Sequence, residues 1–265
     1  MALEKNLVHY VKKIEFLKRG VAELQKGTGK KDLSVLDIGC GTGNIAIEVA
    51  KLGCRVTGID VDKASIDYAR ERNAPRCTFL VGNAQDLKLR ETYDVIIASE
   101  VLEHLKQPDK LVGFIGEHLH KEGFLFLSMP NGYGPSELSV MPRRLLGRFL
   151  KKIGLFETAR NFRHRLVKNP MEKARKSFGV DTLNNYGEGA LHEHFFTLGG
   201  LKRLLTLHGL EVRERQNSFV LLGTFPFYYL ICKSWTLQRI DCKIVDYLPA
   251  FASSGWAFRV TKHTA

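Results

Sequence analysis

Cysteine is scarce in this sequence, and no two cysteines are spaced as a pair. There are five in 265 residues, with no C-x-x-C motif and no spacing typical of a disulfide framework. A scaffold held together by disulfides is therefore excluded, and we expect a reducing, cytoplasmic setting. The five are Cys40, Cys54, Cys77, Cys232 and Cys242.

Long apolar runs are also missing. The longest covers 219–232 and is interrupted by Gly223 and Pro226, which makes it too short and too broken to cross a bilayer. We interpret 219–235 either as a buried or half-buried helix or as a helix that docks on a surface. The N-terminus is charged from Glu4 onward and shows no signal-peptide core. The length allows one good core with an elaboration.

Acidic residues are rare in one segment, which carries most of the net charge of +12. Between 141 and 176 there are 12 Lys and Arg against two acids, Glu157 and Glu172. Apolar residues recur there every three or four positions, which predicts a basic amphipathic helix. Three interpretations stay open: a solvated lid, a helix on an anionic membrane surface, or a nucleic-acid contact. Few aromatic residues interleave with the charges, which disfavours base stacking.

Three glycines at alternate positions follow a stretch of apolar or strand-compatible residues at 35–38 and precede a helical pattern at 45–52. This order predicts a strand, a tight turn and a helix, with backbone N–H groups of the turn free to close on a ligand. Asp37 stands two residues before the first glycine, where it would repel a pyrophosphate and suit a ligand that carries an ammonium group. The dinucleotide pattern G-x-G-x-x-G is therefore not the match. The glycines are Gly39, Gly41 and Gly43.

A second acid, Asp60, ends the next predicted strand and can bind both hydroxyls of a ribose. Together these residues resemble the class I S-adenosylmethionine (SAM) methyltransferases. The segment 79–84 resembles the adenine-edge segment of that family, where Asp is commoner than Asn83, and 93–98 resembles its fourth strand. The resemblance implies that SAM is the cofactor. Its implied binding residues are Asp37, Gly39, Cys40, Gly41, Gly43, Asp60, Asn83, Ala84 and Ser99.

Strand and helix patterns alternate from residue 33 to 128, which predicts a Rossmann-like, doubly wound α/β sheet. We expect it to be mostly parallel, with an antiparallel last strand near 256–261 beside a strand near 210–216. The predicted organisation is a helical cap, a SAM-binding core, a basic helical insert and a C-terminal completion of the sheet. Their bounds are 1–31, 32–135, 136–190 and 191–265.

The cap is expected to consist of one or two helices over the mouth of the SAM site, where Tyr10 or Lys12 are candidates to contact the ligand. His9 is interpreted as an ordinary surface or helix-end residue, because no partner converges on it in the sequence.

Two acids and a histidine follow the fourth predicted strand. Glu100, Glu103 and His104 are spaced i, i+3 and i+4, so on a helical turn they would share one face. Oxygen donors with one nitrogen suit a divalent cation such as Mg²⁺ or Mn²⁺. Such an ion would lower the pKa of a substrate hydroxyl and orient its oxygen.

This E-x-x-E-H motif resembles a metal site in two families. One is the ubiquinone-biosynthesis O-methyltransferases. The other is the 2′-O-methyltransferases of small RNA 3′ ends, which add a later histidine, and His192 is the best match for it, with His194 second. The resemblance implies Glu100, Glu103, His104 and His192 as metal ligands. Two other interpretations stay open: His104 or His192 as a general base without metal, and an orienting role only.

The acceptor is expected to be a hydroxylated, hydrophobic small molecule, quinol-like or lipid-like, with Glu100, His104 and His192 as catalytic residues. No N-P-P-Y-type loop follows the fourth strand, which disfavours methylation of DNA or glutamine amino groups. The alternatives are an RNA 2′-O-methyltransferase with the same metal face and a SAM-binding protein without catalysis.

Overall fold

The computed structural model describes residues 8–72, 74–83, 86, 91–139, 141, 152, 193–222, 224, 227–231 and 234–263. Three predicted features lie outside these residues: Ala84, His192 and, apart from isolated positions, the basic helix of the 136–190 insert. None of the helices in the described residues is long and apolar enough to cross a membrane.

The described strands form one seven-stranded sheet in the order β3-β2-β1-β4-β5-β7-β6. The first five in this order pair in parallel, and β7 runs antiparallel between β5 and β6. The strand order reverses between β1 and β4, and ligands of such sheets bind at that point. This confirms the predicted fold class. The strands are β1 Ser34–Ile38, β2 Arg55–Asp60, β3 Cys77–Val81, β4 Tyr93–Ser99, β5 Leu119–Pro130, β6 Leu210–Asn217 and β7 Gly255–Lys262.

Helices cover both faces of the sheet, because successive parallel strands need crossover connections. Residues from α1, α2 and α3 fill a core cluster on one face, and residues from α4 and α5 fill a cluster on the other. The helices are α1 Val8–Thr28, α2 Asn44–Ala50, α3 Lys63–Glu71, α4 Pro108–His118, α5 Leu198–Leu207, α6 Tyr228–Ile231 and α7 Trp235–Ile244, with short 3₁₀ segments at Leu102–His104, Val245–Tyr247 and Ala250–Ala252.

The N-terminal segment forms one described helix, α1, rather than two. Phe16, Leu17 and Val21 recur at helical spacing and are buried in the same cluster as strand residues of β1 and β4. α1 is therefore packed against the sheet along its second half, and its first half reaches the region beside the carboxyl end of β4.

The described part of 219–235 contains the short helix α6 and ends where α7 begins, with Leu222 and Ile231 buried and Leu230 exposed. A longer helix, α7, follows it. The sequence pattern did not predict α7, because its buried face is polar rather than apolar.

Candidate functional site

The glycine turn after β1 has the backbone that its spacing predicts. Gly39, Gly41 and Gly43 have φ angles of +67°, +50° and +74°. Residues that carry a side chain rarely adopt such positive φ angles. A Cβ on Gly39 would lie 2.6 Å from Val101 Cγ2, and one on Gly43 would lie 2.6 Å from Phe79 Cζ. The turn therefore requires glycine for both conformation and space.

Asp60, at the carboxyl end of β2, is joined directly to this turn. Its Oδ2 accepts a hydrogen bond from the Gly41 N–H at 2.7 Å, and its Oδ1 accepts one from the Asp62 N–H at 2.9 Å. At the end of β3, the Gly82 N–H donates to the Asp60 carbonyl at 2.9 Å, and the exposed Asn83 follows. The structure thus brings the turn, the predicted ribose acid and the predicted adenine-edge residue to one edge of the sheet.

Asp37 is a buried carboxyl group with an incomplete set of partners. It is 1% exposed, and its Oδ2 accepts no hydrogen bond from the described residues. Burial, and next the negative charge of Asp60, raise the pKa of Asp37 to about 8, although the Ala46 N–H donates to it. A buried oxygen in this state fits a cationic ligand, because a positive charge would supply the missing partner and favour the carboxylate.

Cys40 lies within the turn and is buried. Burial, and next the charge of Asp37, raise the pKa of its thiol well above the usual range. If Cys40 binds the cofactor, as the sequence predicts, the backbone groups of Cys40 would make the contact and not its thiol.

Glu100 has a strained backbone at the carboxyl end of β4. Its φ is +58°, which is rare for a residue with a side chain. The Glu100 N–H donates to the Ser128 carbonyl at 2.8 Å, and Glu100 Oε1 accepts a hydrogen bond from Ser128 Oγ at 2.8 Å. These bonds to β5 hold the carboxylate in place and compensate for the strain.

Lys13 of α1 completes a polar cluster around Glu100. Its Nζ lies 3.5 Å from Glu100 Oε1, 3.1 Å from Ser99 Oγ and 3.4 Å from Ser128 Oγ. Ser99 Oγ and Ser128 Oγ are 2.9 Å apart. We call Lys13, Ser99, Glu100 and Ser128 the Lys13 cluster. It joins a helix to the ends of two neighbouring strands, beside the turn.

Sequence reasoning missed Lys13 and named its neighbour Lys12 instead, and it assigned His9 no role. Lys12 binds the other way, to the Cys242 carbonyl and to Asp246, because adjacent residues on a helix point about 100° apart. His9, expected to be an ordinary surface or helix-end residue, is the second residue of α1, but its side chain is half-buried rather than on the surface. Its ring packs edge-on against Phe219, its Nδ1 is buried without a described partner, and burial followed by the charge of Lys13 lowers its pKa to about 4. His9 and Lys13 are four residues apart in a predicted helix, and this spacing indicates that their side chains share one helix face.

The expectation that Glu100, Glu103 and His104 share one helical face is wrong. Only Leu102–His104 forms a short 3₁₀ turn, and Glu100 precedes it in the left-handed conformation. Glu103 is 1% exposed, and neither of its carboxylate oxygens accepts a hydrogen bond from the part of the chain that the structure describes. Burial, and next the charge of Glu100, raise its pKa well above the usual value. His104 is about one-third exposed, with Nε2 3.9 Å from Glu103 Oε1.

The metal ligands predicted from this motif do not form a complete set in the described residues. There, no three or more His, Cys, Asp or Glu side chains are grouped so that they could hold an ion. The Glu193 and His194 N–H groups donate to the Glu103 carbonyl at 2.8 Å and 3.2 Å. The two residues that follow His192 in the sequence therefore lie beside the E-x-x-E-H motif. The metal site remains a prediction that needs His192 as a donor.

Comparison with known proteins shows the family. The chain matches the family described as "Methyltransferase domain" over residues 7–215. It belongs to this methyltransferase family. Its fold and motifs are those of the class I SAM-dependent methyltransferases.

Individual relatives match shorter parts of this methyltransferase. A ubiquinone biosynthesis O-methyltransferase from Pelagibacter ubique is 32% identical over 104 residues, which are 38% of this chain and 43% of that protein. A protein of the same name from Rickettsia canadensis is 34% identical over 103 residues, 37% of this chain and 43% of its own length. Each match spans less than half of the relative.

A solved structure confirms the fold over nearly the whole chain. A putative sarcosine dimethylglycine methyltransferase from Galdieria sulphuraria has a TM-score of 0.56 at 14% identity, and the match covers 96% of this chain and 85% of the other.

Proposed function

We propose that this protein is a SAM-dependent O-methyltransferase that acts on a hydroxylated, hydrophobic small molecule of the quinol or catechol class. The observation that carries the proposal is the Lys13 cluster, which places an ammonium group, a carboxylate and two hydroxyls beside the glycine turn. The relatives named as ubiquinone biosynthesis O-methyltransferases support the acceptor class.

On the cofactor side, the residues present fit SAM. The Asp60 carboxylate would bind the ribose hydroxyls, since each of its oxygens keeps a lone pair beyond its one backbone hydrogen bond. Asp37 would stabilise the positive charge of the methionine moiety. When bound, SAM supplies an electrophilic methyl group on a sulfonium sulfur, so the protein's own work is orientation and handling of one proton.

On the acceptor side, the Lys13 cluster would hold the hydroxyl that receives the methyl group. The Glu100 carboxylate can accept a hydrogen bond from this hydroxyl, and the Lys13 ammonium would stabilise negative charge as it develops on the oxygen. Of the two candidate general bases, His104 and His192, only His104 belongs to the described residues. Its imidazole would take the proton that the hydroxyl loses. In this arrangement Glu100 and Ser128 would orient the hydroxyl that receives the methyl group of SAM, and His104 would hold the proton that the hydroxyl gives up.

Methyl transfer to a catechol with a short prenyl chain tests the proposal. We expect purified full-length protein to convert SAM and this probe to S-adenosylhomocysteine and a mono-O-methylated catechol, detected by mass spectrometry. Glu100→Gln should lower kcat/KM by about 100-fold or more, whereas the exposed Glu117→Gln on α4 serves as a matched control. No O-methylated product from this probe or from other catechols and quinols would contradict the acceptor class.

A further inference from the structure

Helix α7 is polar on its buried side and apolar on its exposed side. Gln238, Asp241 and Cys242 are buried. Gln238 Oε1 accepts a hydrogen bond from the Val8 N–H at 3.1 Å, and Asp241 accepts from the N–H groups of residues 220–222 at 2.9–3.3 Å. These hydrogen bonds fix which face of α7 points inward, so the opposite face is held outward.

The outward face of α7 continues into one row of large apolar side chains. Exposed fractions run from 43% for Leu237 to 90% for Tyr247. Leu237, Ile240 and Ile244 are three and four residues apart on α7, which is the spacing of one helical stripe. Tyr247 and Phe251 follow on the two 3₁₀ turns after the helix. Exposed large apolar side chains gathered in this way are typical of an interaction site. The apolar row consists of Leu237, Ile240, Ile244, Tyr247 and Phe251, with Trp235 at the start of α7 beside it.

The exposed charges of α7 itself are basic, Arg239 and Lys243. Two acids lie near them: Asp246, which is paired with Lys12, and Glu15 of α1, which lines the groove between α1 and α7. Aromatic and aliphatic side chains flanked by Lys and Arg form the composition of helices that lie in the interface of anionic bilayers. A strongly apolar protein partner would not require these flanking positive charges.

The apolar row is tied to the edge of the sheet that carries the candidate site. Asn131, directly after β5, donates from Nδ2 to the Phe251 carbonyl at 3.1 Å. On the other side, α1 connects the two regions: Lys12 Nζ donates to the Cys242 carbonyl at 2.7 Å, and its neighbour Lys13 reaches Glu100.

We propose that the apolar row docks on the surface of a lipid bilayer that contains anionic lipids. Docking would bring the sheet edge with the Lys13 cluster to the surface in which a lipid-like acceptor is dissolved. The docking itself does not depend on the proposed function; only its role in bringing the site to a lipid-like acceptor rests on that function. The residues of the apolar row lie outside the 136–190 insert in the sequence, so variants of α7 test the row alone.

Vesicle flotation of the full chain, without SAM or acceptor, tests the proposal. We expect binding to vesicles of phosphatidylcholine with phosphatidylglycerol, and a reduction of about tenfold or more in the Ile240→Glu/Ile244→Glu double variant. Leu207→Glu, at an exposed apolar position on α5, is the matched control and should bind as the wild type does. Arg239→Gln/Lys243→Gln should lose much of its preference for the anionic vesicles over pure phosphatidylcholine.

Two results would overturn the proposal. One is unchanged flotation of the double variant, which would assign any lipid binding to another surface. The other is no flotation of the wild type together with a dimer, seen by light scattering, that the double variant abolishes; the row would then bind a second copy. SAM binding and methyl transfer to a water-soluble catechol are measured separately, so failure of the docking surface and failure of the proposed function are distinguishable.

Discussion

Lys13 Nζ lies 3.5 Å from Glu100 Oε1, which joins the first helix to the residue after β4 across 87 positions of sequence. The Lys13 side chain is 13% exposed, so the pair is largely shielded from water. An ion pair in such a place contributes more to a site's electrostatics than a surface pair does. The relationship makes α1 part of the candidate active site and not merely a cover for it.

Replacing Lys13 by Met should therefore lower kcat/KM for the prenylated catechol by about tenfold or more, because the positive charge beside the acceptor oxygen is lost. The dissociation constant for SAM should change by less than about threefold. Steady-state kinetics and calorimetry measure the two effects. Lys26→Met, at an exposed position of the same helix, is the control. A loss of SAM affinity equal to the loss of kcat/KM would show that Lys13 acts through the fold of the cofactor site.

The raised pKa of Asp37 predicts proton release when a cationic ligand binds. With a pKa of about 8, Asp37 is mostly protonated at pH 7 in the free protein, and a positive charge nearby lowers its pKa. SAM binding at pH 7 should release up to one proton, and the affinity should rise as the pH increases from 6 to 8. Calorimetry in two buffers of different ionisation enthalpy counts the protons.

Asp37→Asn is the matching variant for this measurement, and it should bind SAM more weakly without proton release. Equal heats in the two buffers for the wild-type protein would mean that Asp37 does not change its protonation state on binding.

The lowered pKa of His9 predicts acid sensitivity of the fold. Its folded-state pKa of about 4 lies below the ordinary value of 6.5, so the unfolded chain binds the proton more readily. The stability linked to His9 is fully present above pH 6.5 and is lost as the pH falls towards 4. Between pH 7.5 and pH 5 the free energy of unfolding should decrease by about 2 kcal/mol from this residue.

His9→Gln should remove that part of the pH dependence, measured by urea denaturation at both pH values. His120→Gln, at a half-buried position of β5, is the control variant. If the wild type and His9→Gln lose stability in parallel between the two pH values, the burial of His9 does not affect its protonation.

The metal interpretation of the E-x-x-E-H motif predicts loss of methyl transfer after EDTA treatment and its recovery on addition of Mg²⁺. Glu103→Gln should abolish the recovery, while SAM binding persists. Full activity in EDTA would leave the histidine-base and orienting interpretations.

Much of the fold followed from the sequence because its signals are local. The glycines at 39, 41 and 43 report the backbone of one turn, and the strand–helix alternation reports parallel pairing. The Lys13 cluster could not be predicted, since the helical pattern of α1 does not show which of two adjacent lysines faces the sheet. Glu100 was misplaced because its left-handed backbone depends on hydrogen bonds to Ser128 from another strand. Helix α7 was not predicted because its buried face includes the polar Gln238 and Asp241, so it lacks the apolar buried stripe that indicates a helix.

The most direct test of the central claim is a calorimetric titration of the full chain with SAM. We expect saturable binding of one SAM per chain in the wild type. Binding should be lost in Gly39→Ala, whose Cβ would lie 2.6 Å from Val101 Cγ2, and retained in Gly27→Ala, where a Cβ meets no atom within 4 Å. No heat with SAM, together with a clean titration by a nicotinamide dinucleotide, would contradict the claim.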